Sequence, residues 1–336
     1  MSNTTQYSFK DLFLAFGYAA NRDTLLWGAG GLLVSFLITG IWTAIFSFLF
    51  DAIGWGAGLL IFNVIGLLIL LAGISLTITG VAFIVRSDIC GADNPNYIDV
   101  LNFIKKHVIT IVLVPYAFIG ILLASGLLHA VFDVIFKIPG IGSILFGILY
   151  GVLFAIGLFM VFTVIVFELG MFLYPTIIVT HLTGIVETIK KLFETVKEKW
   201  LQLIGYLIVV GFLSFIVFFV AYFIFGAAFS ITTALSTAIT GKNAILTTTS
   251  IVGKVIYPFM QSFSGIFGAY PGYFYGEASW FYGIGGIFQM IWMAIILSIT
   301  FSYPFVFSSS AGVMVYHILM NPDSENKKDA SAESEE

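Results

Sequence analysis

Two ionisable residues lie within or at the end of long apolar runs, where they could do chemistry inside a membrane. Glu168 lies in one such run, seven residues before Pro175, and Arg86 closes another. Charged side chains are costly in hydrocarbon, so they commonly mark functional sites or ion pairs. A polar gate or ion pathway would set Glu168 against a basic partner such as Arg86. The alternative, which the sequence favours, is a structural ion pair or a Glu168 side chain that reaches the headgroups.

Four more ionisable residues, His129, His317, Asp51 and Asp133, lie in or at the edges of apolar runs. The histidines could ligate a pigment or haem. Their spacing matches no haem pair, however, and a neighbouring helix more often satisfies such a side chain. The aspartates are expected to mark helix ends in water. The single cysteine, Cys90, has no partner for a disulfide or a metal site. We therefore expect no cofactor and no metal ion.

Catalysis within the membrane would need a positioned nucleophile, acid or metal set. The sequence shows no such constellation. An enzyme would become plausible if at least two of Glu168, His181, Arg86 and Lys105 converged on a cavity. The sequence thus predicts a protein without catalytic residues and without enzymatic activity.

Lysines flank two of the apolar runs and could contact lipid headgroups. Attraction to anionic headgroups contributes about 1 kcal/mol for each basic residue near the surface. Glu187, Glu194 and Glu198 weaken this field in the second group. Orientation in the membrane is therefore a better supported role than recognition of a particular lipid. The candidate lipid contacts are Lys105, Lys106, Lys190, Lys191, Lys197 and Lys199.

An insertion at 229–282 separates the fifth and sixth apolar runs and differs from them in composition. Its first part is rich in threonine, serine and alanine, and its second part alternates glycine with aromatic residues. Aromatic side chains are enriched at protein interfaces, which favours docking of another membrane-protein subunit. An aromatic belt in the outer headgroup layer is the alternative. The candidate docking residues are Tyr270, Tyr273, Tyr275 and Trp280.

The elements that carry these residues are predicted from composition. Apolar residues make up 60% of the 336 residues and charged residues 10%, against about 25% charged in soluble domains. Runs of this length without strand-like alternation form helices in a bilayer. The fold class is therefore an all-α, polytopic transmembrane bundle in a single domain, 1–320, followed by a disordered acidic tail, 321–336. Six crossings are expected near 24–50, 56–85, 108–132, 141–173, 200–228 and 283–318.

The distribution of basic residues predicts the orientation. With six crossings, eleven lysines and arginines fall on one side, and only Lys137, Lys242 and Lys254 fall on the other. The N-terminus and the C-terminus are therefore expected on the cytoplasmic side. No nucleic-acid motif occurs, so membrane lipids are the main expected partners.

Amphipathic segments begin near residues 7, 97 and 185 and precede the odd-numbered crossings. The third has Ile185, Ile189, Leu192 and Val196 on one helical face, opposite its lysines and glutamates. The period of about 90 residues indicates three units, each an interfacial helix followed by two crossings.

Five stretches of the chain have a sequence pattern known from other proteins: Asn21–Gly31, Gly80–Arg86, Tyr97–Pro115, Gly170–Lys191 and Ala311–Asn321. In these stretches and in its layout the chain resembles a broad set of uncharacterised six-helix bacterial membrane proteins. These are similar to the membrane domains attached to some glycerophosphodiester phosphodiesterases. The resemblance implies the six-helix fold and a bacterial inner membrane. It does not extend to the phosphodiesterase activity, because the chain has no carboxylate-rich soluble region.

Two functions are consistent with these features. The first is a non-enzymatic scaffold or accessory subunit of a membrane assembly, suggested by the scarcity of buried charge and by the insertion. The second is a transporter or channel, suggested by the repeated units and the proline-interrupted helices. Polar side chains are sparse in the crossings, so its solute would be hydrophobic or amphipathic.

Overall fold

The long apolar runs form helices throughout the part of the chain that the computed structural model describes: residues 9–53, 56–91, 95–138, 141–240 and 280–320. No strand occurs in these ranges. The predicted all-α fold class is therefore confirmed. A 3₁₀ helix (Phe9–Phe13) precedes seven α-helices in these ranges: α1 (Leu14–Ala20), α2 (Arg22–Ile53), α3 (Gly56–Ile89), α4 (Tyr97–Phe136), α5 (Ile141–His181), α6 (Ile185–Thr240) and α7 (Trp280–Met320).

Six helices of the described part are long and apolar enough to cross a membrane. The chain is a multi-pass integral membrane protein. The segments that meet this criterion are Arg22–Thr43, Val64–Ile89, Tyr97–Phe136, Ile144–His181, Ile185–Ala228 and Ala294–Met320.

Several helices extend beyond the predicted crossings. The second amphipathic segment and its crossing form one helix, α4, because no residue between them interrupts helical geometry. The third amphipathic segment differs, because a kink at Lys199 (φ −127°, ψ 24°) divides α6 into two helical parts. The kink directly precedes residue 200, where the predicted fifth crossing begins. Proline commonly bends or ends a helix, and Pro175 and Pro304 lie within α5 and α7. Neither ends its helix, since α5 and α7 continue past them.

The start of α4 is set by a local signal that the sequence contains. The backbone N–H of Asn96 donates to the Asp99 carboxylate at 3.1 Å. The N–H groups of Asp99 and Val100 in turn bond to the Asn96 carbonyl. A capping residue with an acid three positions later satisfies N–H groups that the first turn of a helix leaves unpaired.

The chain forms two compact units, each built from separate segments. Unit 1 comprises the described residues of Met1–Tyr18, Ile78–Phe212 and Phe307–Glu336. Unit 2 comprises Ala19–Thr77 and the described residues of Leu213–Val306. Helices α3, α6 and α7 each contribute residues to both units.

The core of unit 1 lies where the end of α3, the first half of α4, the end of α5, the start of α6 and the end of α7 meet. Seven consecutive residues of α7, Ser310–Tyr316, are buried. Burial of every position over two turns means that other elements surround this part of α7. Gly312 allows close approach to α5, since a Cβ there would lie 2.5 Å from the Phe172 carbonyl oxygen.

Unit 2 is held together by close contacts of α2 with its neighbours. The indole N–H of Trp27 donates to the Thr77 carbonyl at 3.2 Å, and that of Trp42 donates to the Phe62 carbonyl at 3.1 Å. Small residues let the helices approach, because a Cβ on Gly73 would collide with the Ser35 side chain. Helices α6 and α7 also line an apolar groove of about 340 Å³ in this unit.

Candidate polar site

Arg86 is held at the end of α5 by a bond to the backbone. It lies in the last turn of α3, and its Nη1 donates to the Val179 carbonyl at 2.8 Å. Val179 lies two residues before the end of α5, so its carbonyl is one of the four that have no partner within the helix. A cation at this position also interacts favourably with the negative end of the helix dipole. Arg86 thus joins α3 to α5 and caps α5.

Lys199 caps the C-terminal end of α7 in the same way. Its Nζ donates to the carbonyl of Leu319, the penultimate residue of α7. The departure of Lys199 from helical geometry coincides with this bond. Positive side chains therefore cap the C-terminal ends of two helices in unit 1.

His181 and Tyr316 connect the same two helices through their side chains. The His181 Nε2 and the Tyr316 hydroxyl are 2.7 Å apart, and the two rings are nearly perpendicular. His181 is exposed at the last position of α5, whereas Tyr316 is only 3% exposed. Burial of a phenol requires a hydrogen-bond partner, and the imidazole supplies it.

The charged groups around this contact form a cluster. Arg86 acts electrostatically on His181, Tyr316 and His317, and Lys191 and Glu187 act on His181. The ends of α3, α5 and α7 and the start of α6 therefore bring cationic, imidazole and phenol groups together. We call Arg86, His181, Tyr316 and His317 the polar cluster.

The turn between α5 and α6 stands next to the polar cluster and is strained. Leu182 has φ 54°, and its N–H bonds to the Ile178 carbonyl at 2.9 Å. This is the left-handed helix-ending conformation that glycine usually adopts. The hydroxyls of Thr183 and Thr188 lie 2.7 Å apart and brace the turn, while Thr188 Oγ1 also bonds to the Gly184 carbonyl.

Glu168 and Arg86, the predicted polar pair, are not brought together. Glu168 is exposed on α5, eleven residues before Val179, which corresponds to about 16 Å along a helix. Neither Glu168 nor Arg86 takes part in the close contacts between oppositely charged residues, Lys190–Glu194 and Lys191–Glu187, or in the His129–Asp133 hydrogen bond. Arg86 binds a helix end instead of a carboxylate.

The six candidate lipid-contacting lysines fall into two groups. Lys105, Lys106, Lys190 and Lys197 are exposed, so their contact with headgroups stays a prediction. Lys191 is partly buried and 3.8 Å from Glu187, and Lys199 already binds Leu319. These two lysines interact with the protein's own groups.

The candidate docking aromatics lie largely beyond the structural description. Tyr270, Tyr273 and Tyr275 fall outside the described residues. Trp280 begins α7, and its side chain is outside the description. Residues 229–240 of the predicted insertion belong to α6, while 241–279 and the tail 321–336 are outside the described ranges.

Sequence reasoning named Arg86, His181 and His317 separately but missed Tyr316 and the contact that joins α5 to α7. Residues 181 and 316 are far apart in the chain, and no local pattern relates them.

Comparison of the chain with family models, with curated proteins and with solved structures found no match. No group of three His, Cys, Asp or Glu side chains suited to a metal occurs in the described ranges.

Proposed function

We propose that the protein is a non-enzymatic scaffold or accessory subunit of a membrane assembly in a bacterial inner membrane, with both termini in the cytoplasm. The main observation in support of this proposal is that side chains of the polar cluster join helices to one another. Arg86 binds a carbonyl of α5, and His181 binds Tyr316 of α7. Groups engaged in joining helices are poorly placed to bind and release a polar solute.

The hydroxyl groups of the described helices support the same proposal. Nine serine and threonine side chains donate to a carbonyl three or four residues earlier in their own helix, which satisfies them locally. Hydroxyls used in this way offer little to replace the hydration shell of a polar solute. These residues are Ser35, Thr43, Thr77, Ser87, Ser125, Thr163, Thr232, Ser298 and Ser302.

Crosslinking in native membranes tests the scaffold proposal. The protein is crosslinked, purified in mild detergent and compared with a variant carrying Tyr270→Ala, Tyr273→Ala and Tyr275→Ala. We expect a defined membrane-protein partner with the parent chain and its loss with the variant. A control with Tyr150→Ala, an exposed tyrosine of α5, should keep the partner. A parent chain that purifies alone would contradict the proposal.

A carrier for a hydrophobic or amphipathic solute is the second candidate, favoured by the groove in unit 2. Its lining is apolar apart from Thr300 and the Tyr303 hydroxyl, and its volume of about 340 Å³ lies in the range of small-ligand pockets. The other lining residues are Ile216, Val217, Val220, Ala221, Ile224 and Pro304.

Filling this groove tests the carrier proposal. Ala221→Trp places an indole in the groove, whereas Ala228→Trp places one at an exposed position on the same helix outside it. In reconstituted vesicles, a photoreactive fatty acid should label the parent and A228W but label A221W at least five-fold less. Equal labelling of all three proteins would contradict a role for the groove.

A further inference from the structure

The α4–α5 pair of unit 1 changes from packed to exposed along its length. No residue of 119–136 in α4 is buried, although most are apolar. In α5, burial over the described side chains of 141–165 is limited to Gly142, Leu153 and Thr163. Leu127 and Ile148 are 69% and 71% exposed. We call 119–136 with 141–165 the exposed hairpin.

Beyond the exposed hairpin, the same two helices are packed. Leu173–Val179 of α5 are buried at every position, and α4 buries Val114, Pro115 and Phe118. Most of the buried residues of α4 and α5 therefore lie at this end. We call the helix segments at this end, 78–89, 97–118, 166–199 and 307–320, the packed end.

The lengths show that both parts cannot lie in hydrocarbon. Helix α4 has 40 residues and is about 60 Å long, whereas the hydrocarbon core of a bilayer is about 30 Å thick. The stretch 119–136 rises about 27 Å at 1.5 Å per residue. The exposed hairpin by itself therefore accounts for the membrane thickness.

Charges mark where the hydrocarbon ends. Asp133 and Lys137 lie at the tip of the exposed hairpin, and Glu168 is exposed where the packed end begins. Beside it packs the amphipathic start of α6. A Cβ on Gly170 would lie 3.4 Å from Leu192, and the Phe193 ring lies 6.0 Å from that of Phe118.

The opposite face of that amphipathic segment cannot enter hydrocarbon. Lys190, Glu194 and Lys197 are exposed on it, and transfer of such charges into hydrocarbon is strongly unfavourable. Because the segment contacts α4 at Phe118 and α5 at Gly170, these two residues lie near the boundary. The charged face then stands in headgroups or water.

We infer that, along the α4–α5 pair of unit 1, bilayer hydrocarbon surrounds only the exposed hairpin, and that the packed end lies in the headgroup layer and in water. The occupant of the hairpin surface is lipid acyl chain, because apolar side chains cover both helices over a length that matches the bilayer. Ile109 distinguishes this placement from one in which hydrocarbon also surrounds the packed part of α4. Its side chain is apolar and 67% exposed, and it lies in a segment hydrophobic enough to span a membrane. Because Ile109 belongs to the packed end, the inference places it outside the hydrocarbon.

Cysteine labelling tests this placement with matched positions. In a Cys90→Ser background, Ile109→Cys and Leu127→Cys lie on the same helix, with parent side chains 67% and 69% exposed. A second pair is Val186→Cys, 80% exposed in the packed end, and Ile148→Cys, 71% exposed in the hairpin. The purified variants are reconstituted without other proteins into membrane sheets with both faces open and treated with a membrane-impermeant maleimide. The readout is therefore independent of orientation and of any partner.

We expect I109C and V186C to be labelled at least ten-fold faster than L127C and I148C. All four should react equally after denaturation in detergent, which shows that each cysteine is present. Protection of both I109C and V186C to the level of L127C would overturn the inference, since the packed end would then lie in hydrocarbon. A specific disulfide between two copies through L127C would overturn the assignment of lipid as the occupant.

Discussion

Arg86 and Lys199 use their charges in the same way, each donating to a carbonyl in the last turn of another helix. A helix end buried among other helices leaves carbonyls that water cannot reach. A long cationic side chain satisfies such a carbonyl and opposes the negative end of the dipole. The sequence placed these residues near the membrane surface, and the structure shows that they serve the helix ends there.

Replacing Arg86 tests the value of this cap. Arg86→Ala leaves the carbonyl of Val179, a buried residue, without its donor, so we expect a loss of about 1–3 kcal/mol in the free energy of unfolding. Lys105→Ala, at an exposed lysine, should change it by less than about 0.5 kcal/mol. Equilibrium unfolding in mixed micelles measures both. Equal stability of the two variants would show that the Arg86 bond contributes little.

Leu182 is a residue whose backbone conformation conflicts with its type. A left-handed conformation costs a non-glycine residue about 1–2 kcal/mol, and Leu182 is 59% exposed, so its side chain offers little compensation. We expect Leu182→Gly to stabilise the protein by about 0.5–1 kcal/mol, since relief of the strain outweighs the backbone entropy that glycine loses on folding. Leu127→Gly, at a 69% exposed position inside α4, should instead destabilise it by about 1 kcal/mol. Destabilisation by both variants would refute strain at Leu182.

At the scale of elements, the glycines occur in two environments, at close helix–helix contacts and on open helix surface. A Cβ on Gly312 would meet the Phe172 backbone of α5, whereas one on Gly157 would meet nothing within 4 Å. Glycine at a helix–helix contact allows backbones to approach in membranes. The α5–α7 contact therefore depends on Gly312.

A pair of alanine substitutions measures this dependence. Gly312→Ala should destabilise the protein by about 1–3 kcal/mol, as overpacking does. Gly157→Ala should stabilise α5 by up to about 1 kcal/mol, because alanine is the better helix former. Thermal unfolding in detergent reports both, with melting temperatures moving in opposite directions. A shift of the same sign for both variants would contradict the close approach of α5 and α7.

At the scale of the whole molecule, two units draw on segments that are separated in the chain. Arg86 and Tyr316 belong to unit 1, and the Trp42 bond to Phe62 belongs to unit 2. Substitutions without shared partners add in their effects on stability, whereas those within one network do not.

Double substitutions test this division. Arg86→Ala with Trp42→Phe should be additive within about 0.5 kcal/mol, and Arg86→Ala with Tyr316→Phe should deviate by more than that, because both act in the polar cluster. Unfolding free energies of the single and double variants give both coupling energies. A larger coupling for the pair with Trp42 than for the pair with Tyr316 would contradict the assignment of Arg86 and Tyr316 to one network.

The sequence by itself determined the membrane class, the helical fold and the helix start at Asn96, because these depend on composition, run length and residues a few positions apart. It predicted Glu168 and Arg86 as a pair because it showed only that both are charged within apolar surroundings. Which partner Arg86 finds was decided by the packing of α3 against α5, and the His181–Tyr316 contact by the packing of α5 against α7. The local pattern of apolar and polar residues does not indicate which distant residues come into contact. The division of α4 into a packed and an exposed part likewise became visible only in three dimensions, since the apolar run that begins near 108 continues across the division at 118.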